Sequence, residues 1–561
     1  MKKLLSIFLV AIMSLSCFGL TSFAEDENYL LMKDGIIYSE QNSGEIYVSG
    51  YNPLKVNKKK TEVVIPETIK YMGDTYVVKG VDVEAFISSK FSKITLPATV
   101  DYIGDGAFSC SADLREVIIP DECYFRYFGY GVFAGTMVEE TLFDGDTAVI
   151  GQNVLYAYIG NAKKYVLDKD INVLAGGCFM MSPFESVILH DGLTEIPTVA
   201  FANCRKLKSI KIPDSVETIG MGAFKDCINL KSVDLGEGVK ELGVDCFTNT
   251  QIETAYFSEN MYYFSGAFSG CDNLRRIYIS DYNPYFFSDD YGVYQYWNYT
   301  YATSYGNYAD GYGLSLELYY PARAKGVVTL NEDVTFIEDY AFRYCDELKK
   351  VNANEINYIG IGAFKGSSIE EFNFTGDCTI RTEAFSNCTK LKSIDISSAA
   401  KIDDAAFINC TSLKKVTFCE NIFTLGAKAF ANSGLEKVEI GGLNTVISEG
   451  AFMDCKNLKK VTLKEGVSSV CLNAFLNCPK LETISLSYTI DKFYKNALNG
   501  CDNVTFEVVK NTAGHRTVKK LDYNFEIVGR LTFIEEIKNF FDMIYDLLFG
   551  WIEDINQKMY V

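Results

Sequence analysis

The sequence predicts an α/β repeat solenoid: a right-handed array with one short parallel strand per unit on a concave face and short turns or strands on the opposite face. Two observations indicate it. A step of a small or apolar residue followed by phenylalanine recurs mostly every 21 to 25 residues, and two apolar stripes lie between successive steps. A chain of 561 residues is also too long for one ordinary globular core, whereas a repeat array extends its core along one axis.

The recurring step defines sixteen units of about 22–23 residues, and Leu498 replaces phenylalanine in the last. The aromatic positions are Phe86, Phe108, Phe133, Phe179, Phe201, Phe224, Phe247, Phe268, Phe342, Phe364, Phe385, Phe407, Phe430, Phe452 and Phe475. Two gaps break the period, one after Phe133 and one after Phe268. We expect each phenylalanine to fill the interior of the solenoid.

One unit, Leu207 to Cys227, shows both stripes clearly. Ile210 and Ile212 alternate with period two, as in a short strand, and Pro213 ends that strand where no further ladder N–H is needed. Val216 and Ile219 form the second stripe, followed by glycine and the alanine–phenylalanine step. No single unit can bury both stripes alone, so stability depends on stacking between neighbours.

Nine of the seventeen cysteines occur at one phase of the repeat, three residues after the aromatic position. Nine units follow this rule, at Cys204, Cys227, Cys271, Cys345, Cys388, Cys410, Cys455, Cys478 and Cys501. Units with a shorter turn carry serine or threonine there instead. Successive thiols would lie about 4.8 Å apart, and a row of them cannot pair completely. We therefore expect a reduced ladder of small, buried thiols.

The net charge of −20 disfavours binding to nucleic acid. Residues 1–24 have the pattern of a secretory signal peptide: Lys2 and Lys3, an apolar run, and a small-x-small site ending at Ala24. The chain is therefore expected outside the cytoplasm.

The repeat L-x-x-I-x-I-P-x-x-V-x-x-I-G-x-x-A-F-x-x-C resembles the leucine-rich repeats of BspA-like surface proteins of bacteria, over roughly 81–504. The second gap, with Asn283-Pro284-Tyr285-Phe286 and later Tyr319-Tyr320-Pro321, is similar to the family's hairpin-bearing interruptions. The resemblance implies a secreted or surface-displayed, adhesin-like protein that binds a ligand without catalysis.

With this resemblance the chain divides into five parts. They are a signal peptide (1–24), an N-terminal cap with a hairpin (25–80), the solenoid (81–506, interrupted at 134–170 and 281–325), a C-terminal cap (507–530) and an amphipathic helix (531–561).

Enzymatic motifs are not evident. His190 and His515, the two histidines, are far apart in a fold where sequence distance becomes spatial distance, which disfavours a histidine-assisted nucleophile. Gly220-x-Gly222 and Gly360-x-Gly362 are similar to phosphate-binding loops, but they recur at the repeat phase and are interpreted as structural. No cofactor, metal site or catalytic residue is predicted.

Tyrosine is concentrated between Asp281 and Tyr320, interleaved with small polar residues. Tyrosine offers large amphipathic contact area at low entropic cost, so this segment is the first candidate for ligand binding; the alternative is a hairpin whose rings pack on the solenoid. A second surface is the outward-facing row between the two strand isoleucine positions. Its members are Lys211, Asp234, Tyr256, Tyr278, Asn352, Asn373, Asp395, Thr417, Glu439, Thr462 and Ser485. The ligand-binding candidates are Tyr256, Tyr278, Tyr291, Tyr294, Tyr296, Trp297, Tyr299, Tyr301, Tyr305 and Tyr308, which we hypothesise form one patch.

The tail, 533–555, has apolar residues at alternating intervals of three and four and a polar face rich in acids, which predicts an amphipathic helix. Self-association or docking on a partner is the preferred interpretation; membrane-surface contact and packing on the last repeat are the alternatives. Together these features predict a secreted or cell-surface bacterial protein that recognises an extracellular protein ligand. The alternative is a carbohydrate-binding protein for wall or mucin glycans.

Overall fold

The computed structural model describes residues 29–42, 44–55, 61–302, 308–399, 401–420, 422–442, 444–490 and 492–529. The predicted signal peptide and the predicted helix 531–561 lie outside these residues. The chain divides into two compact units, Met1–Pro284 and Tyr285–Val561.

The first unit contains two columns of short strands, mostly parallel, that run through successive turns of a solenoid. The first column comprises Glu62–Val64, Lys93–Thr95, Glu116–Ile118, Lys164–Val166, Ser186–Ile188, Ser209–Lys211, Ser232–Asp234, Thr254–Phe257 and Arg276–Ile279. The second comprises Asp74–Val81, Tyr102–Ile103, Tyr127–Phe128, Val154–Tyr158, Val173–Leu174, Glu195–Ile196, Thr218–Ile219 and Glu241–Leu242.

Antiparallel strands interrupt this pattern at two places in the first unit. The N-terminal cap has Tyr29–Lys33, Ile36–Asn42, Glu45–Tyr51 and Thr68–Tyr71, and the first interruption has Phe143–Asp144 and Thr147–Ile150, preceded by the 3-10 turn Glu139–Thr141. The N-terminal strands bury Ile36, Tyr38, Ile46 and Val48, so they close the core at this end.

The second unit has the same two columns. Its first column comprises Gly326–Thr329, Leu348–Glu355, Glu371–Thr375, Ser393–Ile396, Lys415–Phe418, Lys437–Ile440, Lys460–Leu463, Thr483–Leu486, Thr505–Val509 and Phe525–Gly529. Its second comprises Phe287–Ser288, the long hairpin Gly292–Ala302 and Tyr308–Tyr319, then Val334–Ile337, Tyr358–Ile359, Thr379–Ile380, Lys401–Ile402, Thr424–Leu425, Thr445–Ile447, Val467–Val470 and Lys492–Phe493. Among the described residues of this unit, the helical elements are the α-helix Ala513–Lys520 and the 3-10 turns Pro321–Arg323 and Lys495–Leu498.

Inward- and outward-facing residues alternate along the strands, as the sequence predicts. Ile210 is 4% exposed and Ile212 is fully buried, whereas Lys211 between them is exposed. The next strand along pairs in register, with Ile210 opposite Val233 and Lys211 opposite Asp234. Each turn therefore adds its inward-facing residues to one continuous core and its outward-facing residue to one exposed row.

The phenylalanines form stacks inside each unit. In the first, the rings of Phe201 and Phe224 lie 5.1 Å apart at 4° to one another; in the second, those of Phe385 and Phe407 lie 5.0 Å apart at 3°. The turns that carry them are hydrogen-bonded from one repeat to the next, as from the Phe201 N–H to the Ala223 carbonyl at 2.8 Å. The turns thus form a third hydrogen-bonded column although they are not strands.

Both hairpin interruptions rejoin this column through a tyrosine. The Tyr158 N–H donates to the Cys178 carbonyl at 2.8 Å, and the Tyr319 N–H donates to the Ala341 carbonyl at 3.2 Å. The ring of Tyr319 stacks on Phe342 at 5.1 Å, so it takes the place of a phenylalanine. The aromatic step continues at both sites where the sequence pattern lapses.

The cysteines form a ladder of hydrogen bonds. Each of eight thiols donates to the backbone carbonyl of the phenylalanine in the preceding turn. The sulfur-to-oxygen distances are 3.1 Å for Cys204, Cys227 and Cys410, 3.0 Å for Cys271, Cys388 and Cys501, and 3.2 Å for Cys455 and Cys478. No disulfide bond joins the cysteines of the described residues, and the reduced ladder stays a prediction.

The solenoid with parallel strands is confirmed, and its helical share is minor. One α-helix occurs among the described residues, because the alanine–phenylalanine segments form tight turns instead of helices. The array has about 19 turns, more than the sixteen counted from the phenylalanine step, since strands in the caps also stack onto it.

Candidate functional site

The candidate site is an exposed row on the first column of the first unit. Six consecutive strands contribute one outward-facing residue each; the members of this exposed row are Val166, Ile188, Lys211, Asp234, Tyr256 and Tyr278. The register places Val166 beside Ile188, Lys211 beside Asp234 and Tyr256 beside Tyr278. With strands about 4.8 Å apart, the row is roughly 24 Å long.

The apolar and aromatic members of the row are strongly exposed. Val166 is 60% exposed, Ile188 46%, Tyr256 45% and Tyr278 56%. The residues that precede them on the same strands, such as Val187 and Ile277, point inward and are buried. A rigid core therefore presents these side chains, which lowers the entropy cost of binding through them.

A charged pair lies in the middle of the row. The Lys211 Nζ is 4.0 Å from the Asp234 Oδ2, and both side chains are more than half exposed. Such an exposed pair contributes little to stability, so its charges are available to a ligand.

A second row of polar residues, small in its middle and basic at both ends, lies beside the exposed row on the same face, two positions earlier in each strand. Its members are Lys164, Ser186, Ser209, Ser232, Thr254 and Arg276. At one end the Arg276 guanidinium lies 5.8 Å from the centre of the Tyr278 ring. The serine and threonine side chains in the middle of this row are short, so the face is low there and offers hydroxyl groups for hydrogen bonds.

Sequence reasoning identified four members of the row and missed Val166 and Ile188. Both follow an inward-facing residue, Tyr165 or Val187, in apolar runs where a strand phase is hard to assign. The signal that could have found them is the alignment of Ser186-Val187-Ile188 with Ser209-Ile210-Lys211.

The corresponding row of the second unit is different in character. It runs through Thr329, Asn352, Asn373, Asp395, Thr417, Glu439, Thr462, Ser485 and Glu507, all of them polar. Aromatic and aliphatic residues therefore occur in the exposed row of the first unit and not at these equivalent positions of the second.

The tyrosine-rich segment forms a long antiparallel hairpin, with Trp297 paired to Gly313 and Tyr301 to Ala309. At its base Tyr291 is 55% exposed, and its role in ligand binding stays a prediction. Tyr294 is only 6% exposed and stacks on Phe287 at 5.6 Å. The prediction for Tyr294 is therefore corrected: its ring packs in the hairpin base, because the strand phase turns it inward.

The other hairpin candidates are outside what the structure describes in side-chain detail. They are Tyr296, Trp297, Tyr299, Tyr301 and Tyr308, and Tyr305 lies outside the described residues altogether. The hypothesis that these rings join Tyr256 and Tyr278 in one patch combines residues of two units and stays a prediction.

His190 holds a loop in place through hydrogen bonds to the backbone. The Gly192 N–H donates to its Nδ1 at 3.0 Å, so the proton resides on Nε2, which donates to the carbonyls of Asp168 and Ile171, each at 3.0 Å. His515 accepts the Asn511 N–H at Nδ1, 3.1 Å away, in the C-terminal cap. Each ring thus holds a loop.

Among the described residues, no group of three or more histidine, cysteine and acidic side chains is placed to hold a metal ion.

The glycine pairs have a structural explanation. A Cβ on Gly220 would lie 2.6 Å from the Thr198 nitrogen of the preceding turn, so this position needs glycine for close stacking. Gly222 has a φ of +62°, a conformation that side chains with a Cβ rarely adopt. The interpretation of these pairs as repeat elements is confirmed by this geometry.

Comparison with protein families decides the classification. The profile of the BspA type leucine rich repeat region matches in six copies, within 58–160, 79–208, 172–290, 326–436 and 378–505. The chain belongs to this family. Its repeat proteins are typically non-enzymatic binding proteins of the bacterial cell surface.

Solved structures of similar proteins include several from bacteria. A leucine rich cell surface protein from Faecalibacterium prausnitzii A2-165 is 18% identical, with 86% of this chain and 96% of that chain covered and a TM-score of 0.31. The pneumococcal vaccine antigen PcpA is 15% identical, with coverage of 89% and 99% and a TM-score of 0.35. A leucine-rich repeat protein from Bacteroides ovatus ATCC 8483 is 18% identical, with coverage of 89% and 100% and a TM-score of 0.24.

No curated protein matches the sequence. In the described part of the chain, no helix has the length and apolar character needed to cross a membrane.

Proposed function

We propose that this protein is a non-catalytic binding protein, secreted or displayed on the bacterial cell surface, that recognises a protein ligand through the exposed row. The observation that carries the proposal is the row itself: aliphatic, charged and aromatic side chains on six consecutive strands, backed by a buried core. Membership of the BspA-type family supports a binding or adhesin-like role.

The composition of the row favours a protein ligand over a glycan. One side of a standard protein interface covers about 800 Å², a patch roughly 30 Å across, and the row is comparable in length. Tyrosine and arginine are the residues that most often dominate such interfaces, and Tyr256, Tyr278 and Arg276 lie together at one end. A sugar would use the tyrosine pair but would leave the distant Val166 and Ile188 unused.

Secretion is part of this proposal. It is supported by the signal-peptide pattern of residues 1–24 and by the cell-surface location of the family. Burial raises the pKa of Cys271 and Cys388 to about 12, so these two thiols stay protonated and unreactive at the neutral pH of an extracellular medium.

The test is binding of the full chain to an array of purified extracellular proteins and to a glycan array, followed by affinity measurement on each hit. Tyr256→Ala with Tyr278→Ala should weaken binding of a protein ligand at least about 30-fold, because the loss of a single tyrosine hot spot costs about 2 kcal/mol. The matched control is Tyr263→Ala, which removes a tyrosine of similar exposure, 46%, from the second column of the same unit. This control should bind as the natural chain does.

A second pair of substitutions separates the two ligand classes. Val166→Ser with Ile188→Ser should weaken binding of a protein ligand about tenfold, because the serines cannot make the apolar contacts that a bound ligand would bury. A glycan hit that depends on the tyrosine pair and is indifferent to this change would support the carbohydrate-binding alternative. A protein hit unaffected by both pairs would refute the exposed row as the binding surface.

A further inference from the structure

The C-terminal end of the solenoid exposes residues that continue its core. The last strand, Phe525–Gly529, pairs with Thr505–Val509, with Phe525 beside Phe506 and Ile527 beside Val508. Phe506 and Val508 are fully buried, whereas Phe525 is 36% and Ile527 51% exposed. Val528, on the other side of the strand, is 57% exposed.

This end contrasts with the N-terminal end, where the cap strands bury their apolar residues. At the C-terminal end the helix Ala513–Lys520 buries Val518, and its His515 ring contacts Phe525 at 5.1 Å. The helix leaves all five residues of the last strand exposed. In the described part of the chain, this strand is also at the edge of its sheet. A solenoid end of this kind requires a polar cap to cover its apolar surface.

We propose that the chain's own C-terminal segment, 533–555, docks on the last strand and completes the cap. Its apolar residues recur every three to four positions at Ile534, Ile537, Phe541, Ile544, Leu548, Trp551 and Ile555. This spacing gives a helix one apolar face, roughly 35 Å long. That face matches the uncovered apolar strand in character.

The point where the segment begins favours it over a second copy of the chain. Only three residues separate Gly529 from Phe533, so the segment is tethered beside the uncovered strand. A short tether gives an effective concentration in the millimolar range, which a second molecule reaches only in concentrated solution.

Charge also favours the chain's own C-terminal segment as the occupant of the last strand. The segment carries six acids, Glu535, Glu536, Asp542, Asp546, Glu553 and Asp554, against one lysine, Lys538. The end of the solenoid presents the exposed basic residues Lys510, Arg516, Lys519 and Lys520. An acidic segment is attracted to this basic end and repelled by the anionic surface of a membrane.

The first test uses the fluorescence of Trp551 in the full chain carrying Trp297→Phe, which leaves Trp551 as its single tryptophan. We expect emission typical of a buried indole, independent of protein concentration over a 100-fold range. Ile527→Lys on the last strand should shift that emission to the solvent-exposed wavelength. The matched control, Glu526→Lys, places the same lysine one residue away and should leave the emission unchanged.

The second test reads the strand itself and does not depend on Ile527→Lys folding. Phe541→Asp with Leu548→Asp disrupts the apolar face of the segment and should accelerate amide hydrogen exchange in 525–529 about tenfold or more. Asn539→Asp with Asn556→Asp adds the same charge off that face and should not. Solvent-like Trp551 emission in the parent chain would overturn the proposal, as would unchanged exchange in the first variant. So would burial of Trp551 that appears only with a doubled mass or only with added anionic vesicles.

Discussion

The repeat-phase cysteines are hydrogen-bond donors as well as small core residues. The sequence predicts from the phase alone that they are buried, and eight of the nine are, whereas Cys501 is partly exposed. Their bonds to the phenylalanine carbonyls could not be predicted, because a pattern of positions does not show which backbone oxygen a thiol reaches. Ser111 held the clue: it occupies the same position in a tenth unit and donates to the Phe86 carbonyl at 2.8 Å.

Substitution of Cys410 tests whether this bond matters. Its thiol is fully buried and donates to the Phe385 carbonyl at 3.1 Å. Cys410→Ser should change the free energy of unfolding by about 1 kcal/mol or less, since serine keeps the donor. Cys410→Val removes the thiol donor, although the Cys388 N–H still donates to that carbonyl at 3.1 Å, and should cost about 1–1.5 kcal/mol, the net worth of one hydrogen bond. Urea unfolding of both variants measures the difference, and a valine variant as stable as the serine variant would show that the thiol acts only as filler.

Within one repeat, the two glycines before the alanine–phenylalanine step meet different constraints. At the position of Gly220, other units also have glycine, and a Cβ on Gly243 or Gly360 would approach the preceding turn's nitrogen at 2.5 Å. At the position of Gly222, other units place Asp245 (φ 63°) or Asn473 (φ 56°). The first position is therefore limited by space and the second by backbone conformation.

This difference predicts unequal tolerance. Gly220→Ala should lower the free energy of unfolding by about 1–3 kcal/mol, because its Cβ would clash with the backbone of the preceding turn. Gly222→Asn should cost less than about 1 kcal/mol, since asparagine accepts the left-handed conformation. Thermal and urea unfolding of the pair check the prediction; equal losses in the two variants would contradict the assignment of separate constraints.

At the level of elements, the strands and turns of regular repeats could be predicted, since inward and outward residues alternate with period two, as Ile210, Lys211 and Ile212 do. The hairpin ends could not, because Tyr158 and Tyr319 enter the turn column from strands of unrelated sequence. Only part of the candidate site could be predicted, because the outward-facing position of an apolar residue depends on the strand register. Tyr256 stands out chemically, whereas Ile188 resembles a core residue until its register is known.

Across the whole chain, the two compact units each contain their own aromatic stack and their own hydrogen-bonded columns. The first unit stacks Phe179, Phe201, Phe224, Phe247 and Phe268, and the second stacks Tyr319 and seven phenylalanines from Phe342 to Phe475. In a repeat array each turn contacts mainly its neighbours, so a local defect should destabilise nearby turns first.

Removing one ring from each stack tests this locality. Phe224→Ala and Phe407→Ala each delete a fully buried ring and should cost about 3–5 kcal/mol locally. Hydrogen exchange of the full chain should accelerate for Phe224→Ala in the strands from Ser209 to Phe257 and stay unchanged in those from Ser393 to Leu463. Phe407→Ala should give the reverse pattern, so that each variant serves as the control for the other. An equal acceleration in both regions by either variant would mean that the chain opens as one cooperative body, because a defect confined to neighbouring turns cannot reach amides in the other unit.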